Sequence, residues 1–159
     1  MDFVLHFHNE NFHSDFFGSS RGLCQGDPLS PLLFVIVMEA LSRLLDRAVL
    51  AGTVDPRSHT PLMVSHLLFA NDTLIFCDTL PSQIGKLRDI LSSFEAVSEL
   101  HINLAKSELV PVGEVLNMGE LVALLGCRQS SLPMTYLGLL LGAKFKDRAI
   151  WNPILEKME

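Results

Sequence analysis

The sequence is poor in the features that mark several protein classes. Among its 159 residues only 3 are cysteines. Cys24, Cys77 and Cys127 stand roughly fifty residues apart with no Cys-x-x-Cys pair. That spacing argues against a cysteine-based zinc site and a disulfide framework, and fits a reducing, intracellular setting. Positive charge is also scarce: 12 Lys+Arg against 18 Asp+Glu leave a net charge of −6 and a pI near 5.4. No strong positive field surrounds such a molecule, so autonomous, non-specific nucleic-acid binding is disfavoured. A long uninterrupted apolar run is missing too. The most apolar stretch, Leu32 to Leu50, is broken by Glu39, Arg43, Asp46 and Arg47, charges that are costly in lipid, so a buried helix is expected and no membrane span. The start, Met1-Asp2-Phe3, lacks the basic region and apolar run of a signal peptide. Internal repeats, low-complexity tracts and linkers are absent. What is present is 48% apolar, 19% charged and 8% aromatic residues. This composition excludes intrinsic disorder and collagen-like structure, and a chain of this length can bury about two-thirds of its unfolded surface around one core.

The order of local patterns predicts an α+β unit. Two aromatic runs, Phe3 to Phe7 and Phe12 to Phe17, flank Asn9 and Asn11 and read as a β-hairpin. Ser30-Pro31 is a suitable N-cap and first-position pair for a helix running to about Leu50, expected to be buried on most of its circumference. Ala51 to Pro61 reads as a loop. Val64 to Phe69 and Thr73 to Cys77 read as strands around a tight turn at Asn71-Asp72. Ile84, Leu87, Ile90, Leu91, Phe94 and Val97 recur at helical spacing over residues 82–97 and predict an amphipathic helix on one face of a sheet. A short strand at His101 to Leu104, a polar segment at Lys106-Ser107-Glu108, a short helix at Met118 to Leu125 and a tail hairpin split by Gly138 and Gly142 complete the chain.

The most specific signal is the run Arg21-Gly22-Leu23-Cys24-Gln25-Gly26-Asp27-Pro28-Leu29-Ser30-Pro31-Leu32-Leu33-Phe34. It resembles the fourth sequence block of reverse transcriptases, closest to plant non-LTR (LINE-type) retrotransposons, where R-G-L-R-Q-G-D-P-L-S-P-L-L-F is usual. Three further blocks follow in the family's order. Ser65 to Phe76 looks like the hairpin that normally carries F-A-D-D. Ile102-Asn103-Leu104-Ala105-Lys106-Ser107 looks like the I-N-x-x-K-S block of the palm. Tyr136-Leu137-Gly138-Leu139-Leu140-Leu141-Gly142 looks like the Y-L-G-x-P-L-G segment leading towards the thumb. The likeness covers the chain from about Phe16 onward.

The resemblance implies a transposable-element nucleotidyltransferase, an RNA-directed DNA polymerase. Its substrates would be an RNA/DNA primer-template and deoxynucleotides (dNTP), and its cofactor Mg²⁺. Two divalent cations would activate the primer hydroxyl and stabilise the leaving pyrophosphate. Hard Mg²⁺ needs anionic oxygens, which the family supplies as aspartates on two adjacent strands. One such strand, F-D-x-x-x-A-Y-D-like, lies upstream of the Q-G block in the family and is absent from these residues. The first aspartate of F-A-D-D is here Asn71, a neutral amide, and Asp72 alone keeps a carboxylate, an incomplete metal site. The expectation is inherited turn geometry without catalysis, and Asn71-Asp72 is also an ordinary turn pair. Gln25, Gly26, Pro28 and Ser30 would form the nucleotide and template side of the pocket. Gly26 permits close approach, Pro28 stiffens the loop and Ser30 caps the helix. Lys106 would neutralise the leaving group, though an exposed lysine is commonly just solvated. Cys24 replaces an arginine suited to phosphate. Glu99 replaces a glycine at a position suited to positive φ, and Leu140 replaces a proline.

His6, His8 and His13, with no carboxylate or cysteine in support, read as incidental rather than as a metal cluster. Lys144, Lys146 and Arg148 form the only basic cluster and read as a solvated edge. The expectation is therefore a single partial palm, an antiparallel sheet with packed helices truncated on its N-terminal side. It divides into hairpin and loop (1–22), palm core (23–110) and palm-to-thumb segment (111–159). The function expected is that of a catalytically inactive reverse transcriptase fragment. The alternatives are a non-catalytic interaction module, self-associating through the sheet edge that a missing central strand would leave, and a pseudogene product without function.

Overall fold

In a computed structural model of the chain, residues 2–10, 28–52, 54 and 64–143 are described. The first strand, β1 (Asp2–Glu10), is dense in β-favouring residues and runs for 9 residues. It does not fold back on a neighbour in sequence. It lies between two strands from later in the chain, antiparallel to both. On one side it pairs with β3 (Asp72–Asp78), from Asp2 opposite Asp78 to His8 opposite Asp72. On the other it pairs with β5 (Glu108–Val112), from Asp2 opposite Val112 to His6 opposite Glu108. Its last two residues meet β4 (His101–Ile102). With β2 (His66–Phe69) outside β3 and β6 (Arg128–Gln129) parallel to β5, the sheet order is β2-β3-β1-β5-β6.

Side chains of β3 alternate between two covered faces, which explains why this strand is buried along most of its length. Ile75 and Cys77, with Leu109 of β5, meet the three helices α1 (Leu29–Leu50), α2 (Pro81–Ser98) and α3 (Met118–Leu125) in the main core. Leu41, Ile84, Leu87 and Leu121 are fully buried there. Leu74 and Val110, on the opposite face, pack against Met134 and Tyr136 of a separate hairpin, β7 (Met134–Tyr136) and β8 (Leu139–Leu141). Helices, sheet and hairpin thus form an α+β arrangement of the expected class. Among the described residues no helix is long and apolar enough to cross a membrane.

Most elements lie where the patterns place them, including α2, α3, β2, β3 and the tail hairpin. The N-terminal region differs. The expected second hairpin arm, Phe12 to Phe17, lies outside the described residues, and the first arm spends its backbone hydrogen bonds on β3 and β5 instead. The β3 edge that a missing strand was expected to expose is therefore filled by β1, and among the described residues β2 and β6 are the sheet's edge strands. The strand β5 replaces part of the expected polar segment. Pro111, a residue that argues against a strand, lies beyond the two β5 residues that also pair with β6.

The helix α1 departs from expectation twice. It starts at Leu29 with Pro28 as the N-cap, which already has helical φ −64 and ψ −17 and gives no side-chain cap. Ser30 is thus inside the first turn, and its buried hydroxyl finds no hydrogen-bond partner among the described residues. The helix is also buried along one stripe only, Met38, Leu41, Leu45 and Ala48, spaced three and four apart. Leu29, Leu32, Val35 and Ile36 are 57 to 65% exposed; among the described elements, α2 and β2 pack most against this helix. At the end of α2, Glu99 takes the left-handed conformation at φ 58 that its place opposite a family glycine suggested. For a residue with a Cβ this costs about 1 kcal/mol.

The contact between α1 and β2 has a polar centre. Ser42 Oγ lies 2.7 Å from His66 Nε2, and Ser65 Oγ lies 2.8 Å from Nδ1. A neutral imidazole has one donor and one acceptor nitrogen, so the two hydroxyls satisfy both. Burial pushes the His66 pKa below its usual value, and the Asp46 carboxylate, 4.0 Å from Nδ1, opposes this more weakly. The folded state therefore holds His66 neutral, and the unfolded chain binds its proton first as pH falls.

Two predictions follow from this packing. Leu41→Ala should cost about 2–5 kcal/mol in denaturant unfolding, whereas Ile36→Ala on the open side of α1 should cost no more than about 0.5 kcal/mol. The contribution of His66 should be fully present above about pH 6.5 and be lost as pH falls below it. Thermal melts of the wild type should show this fall, and His66→Gln should flatten it.

Candidate functional site

The turn between β2 and β3 is two residues long, since Phe69 pairs with Asp72. Ala70 carries the positive φ of 49 and Asn71 the exposed tip. The tight turn is therefore at Ala70-Asn71, one residue earlier than the polar pair suggests, and Asp72 is the first residue of a strand. Its side chain is half-buried. Strand pairing holds it more firmly than a turn position would.

Antiparallel pairing of β1 with β3 and β5 brings the starts of those two strands to one end of the sheet. Lys106 stands two residues before β5, in a turn organised by Asn103. The backbone N–H of Lys106 donates to Asn103 O and to Asn103 Oδ1, both at 3.0 Å, and Ser107 Oγ donates to Asn103 O at 2.8 Å. Lys106 itself is exposed. The hairpin β7–β8 reaches the same end from the face opposite the helices. Burial pushes the Tyr136 phenol above its usual pKa, and the negative charge of Asp72 adds to the shift. Three of the four sequence blocks, around Asn71-Asp72, Asn103 to Ser107, and Tyr136 to Gly142, therefore converge on one end of the sheet.

Of the residues singled out in the first block, Gln25 and Gly26 lie outside the described residues, as does Cys24. Pro28 is exposed at the start of α1 and Ser30 is half-buried in its first turn. Two features were not anticipated. Tyr136 sits in a motif, but nothing in the motif says that it lies within electrostatic reach of Asp72. The Ser42–His66–Ser65 contact joins residues 24 positions apart, and the only local hint is the i, i+4 spacing of Ser42 and Asp46 on α1.

The donor set decides what cation chemistry these residues can support. Two Mg²⁺ ions need several anionic oxygens within a few ångströms. At the turn, Asp72 offers a carboxylate and Asn71 a neutral amide, while Glu108 stands two strands away with β1 between. No group of three or more His, Cys, Asp or Glu side chains that could hold a metal occurs among the described residues. The described residues do not fit a two-Mg²⁺ centre. Elsewhere, an apolar groove of about 420 Å³ runs between α1 and α2, lined among others by Ile36, Val37, Leu44, Phe94 and Val97. Neither Asn71 nor Asp72 lines it.

The comparisons with known proteins agree with the arrangement of blocks. A family model described as reverse transcriptase (RNA-dependent DNA polymerase) matches residues 2–141. An uncharacterized mitochondrial protein of Arabidopsis thaliana is 50% identical over 56 residues, a stretch that makes up 34% of this chain and 46% of that protein. The chain thus matches less than half the length of that curated relative. Reverse transcriptases as a family act on a nucleic-acid template and deoxynucleotides and use divalent metal ions. The family match extends over most of the sequence and takes in the convergent blocks up to Leu141, and the chain belongs to the reverse transcriptase family.

Proposed function

We propose that these residues form a catalytically silent reverse transcriptase palm of the plant non-LTR (LINE-type) lineage. The observation that carries the reading is Asn71 at the turn tip, where the resembling block has its first aspartate. The position opposite Asp72 in the neighbouring strand adds support, since it holds His8 rather than a further aspartate. Loss of one formal charge at a site meant for two cations removes electrostatic stabilisation worth factors of about 10² to 10³ in rate per group. On this reading Mg²⁺ is not held productively. Asp72 is the remnant metal ligand, and Gln25, Gly26, Pro28 and Ser30 keep the shape of a nucleotide and template pocket. Lys106 is the remnant leaving-group cation. The palm core spans 23–110, with 1–22 before it and the palm-to-thumb segment at 111–159. The net charge of −6 favours weak binding to nucleic acid by this chain.

A second reading, an interaction module that self-associates, is favoured by β2, an edge strand among the described residues, where Leu67 and Phe69 are 44% and 59% exposed.

Each reading has its own measurement. In primer extension on an RNA template with Mg²⁺ or Mn²⁺, the chain should give no product, and Asn71→Asp alone should not restore synthesis. Metal-dependent extension by the unmodified chain would end the first reading. In size-exclusion chromatography, self-association should raise the apparent mass above 17.6 kDa with increasing concentration, and Phe69→Lys should return it to the monomer. A concentration-independent monomer would end the second.

A further inference from the structure

Beside its buried stripe, α1 carries a second stripe that is apolar and exposed. Ile36 is 65% exposed, and Leu29 and Leu32, on the same side of the helix by their spacing, are 57% and 62% exposed. Further along α1 this side becomes one wall of the apolar groove of about 420 Å³. Val97 of α2, 77% exposed, and the buried Phe94 line the other wall. From Ile36 to Arg47, α1 borders the groove for about three turns, or about 16 Å. Its charged lining consists of Arg43 and Arg47, one turn apart in the C-terminal half of α1, and no carboxylate lines it. Arg43 Nε donates to Glu39 Oε1 at 2.9 Å across the surface, a pair of small worth in water that leaves the terminal guanidinium nitrogens available. Arg47 has no carboxylate partner among the described residues. The groove is thus an apolar channel with two cations at one end.

We propose that the groove between α1 and α2 docks an amphipathic helix of a partner protein, one with acidic residues at the end that meets Arg43 and Arg47. A helix laid in a groove is anchored by apolar residues at i, i+3 or i+4, and i+7, which span about 10 Å and fit within the three turns that α1 offers. Ile36 and Val97 would pack against those anchors, and Arg43 and Arg47 would pair with the acidic end. Charge decides against a second copy of this chain as the occupant. Twofold pairing brings the same patch of both copies together, and this patch holds two cations and no anion. With the two α1 helices parallel, arginine meets arginine; with them antiparallel, each pair of arginines is covered by apolar residues, which strips them of water without compensation. The chain as a whole carries a net charge of −6. Its general field therefore repels an acidic helix, and preference for one has to come from these two arginines. The inference does not depend on the loss of polymerase activity, since neither Asn71 nor Asp72 lines the groove.

The probe is a fluorescein-labelled synthetic helix of about five turns, with leucines at the a and d positions and glutamates towards one end. A second probe has lysines in place of the glutamates. In fluorescence anisotropy with the full chain, the glutamate probe should bind with a dissociation constant in the micromolar range, about tenfold tighter than the lysine probe. Ile36→Glu and Val97→Glu, both at exposed positions, should each weaken binding about tenfold. The double variant Arg43→Gln/Arg47→Gln should lose the preference for the glutamate probe. No saturable binding, equal binding of the two probes, or binding unchanged in Ile36→Glu would overturn the proposal. So would a dimer in size-exclusion chromatography that Ile36→Glu, rather than Phe69→Lys, returns to the monomer, because a second copy then fills the groove. Far-UV circular dichroism checks that the variants fold. Should they not, a measurement on the wild type decides. A benzophenone at the central leucine of the glutamate probe should crosslink to α1 or α2, and crosslinks confined to β2 or the tail hairpin would overturn the proposal equally.

Discussion

The structure depends on the backbone pairing of β1 with β3 and β5. A central strand joins what would otherwise be two separate sheet edges, each with a row of N–H and C=O groups needing partners. Seven residues of β1 face β3 and five face β5. This pairing sets the registers that bring Asp72 and the start of β5 to the same end. It also completes the floor on which both cores rest, with Ile75 and Leu109 under the helices and Leu74 and Val110 under the tail hairpin. Without it the hairpin β2–β3 and the strand β5 would have no defined relation.

That arrangement alters the meaning of the family resemblance. The motifs describe a place beside β3 for a strand bearing a metal-binding aspartate, and within these residues that place is taken by a strand whose position opposite Asp72 is a histidine. What this end of the sheet offers a cation is one carboxylate, Asp72, beside the neutral amide of Asn71. The turn is two residues long and the Asn103 turn is held by hydrogen bonds. The Tyr136 phenol lies within electrostatic reach of Asp72. Shape of this kind depends on backbone pairing and apolar packing, which tolerate the exchange of Asp for Asn. Metal chemistry depends on formal charge, which does not.

The helices show the same separation between local and global causes. In α2 the buried residues Ile84, Leu87, Leu91 and Phe94 are four of the six its spacing predicts; Ile90 is half-buried, Val97 near its end is exposed, and Gln83 is buried without having been marked by the spacing. In α1 apolar residues occur all around, so periodicity cannot say which side is covered. Burial of Met38, Leu41, Leu45 and Ala48 follows from where α2 and β2 happen to pack. The polar contact of Ser42 with His66 belongs to that same packing.

By itself the sequence determined the type and order of most elements, the family blocks, the neutral residue at Asn71 and the positive-φ strain at Glu99. All of these are written in short windows, where periodicity, turn chemistry and residue identity act locally. Only the tertiary structure decided that β1 lies between β3 and β5 rather than beside its neighbour in sequence. It also decided that, among the described residues, α1 is covered along one stripe only, and that the Tyr136 phenol lies within electrostatic reach of Asp72. These depend on which strand edges and apolar faces compete for one another across long separations in the chain. No local pattern ranks such competitors, because the free energy that chooses among them comes from pairing and burial that exist only once the chain has folded.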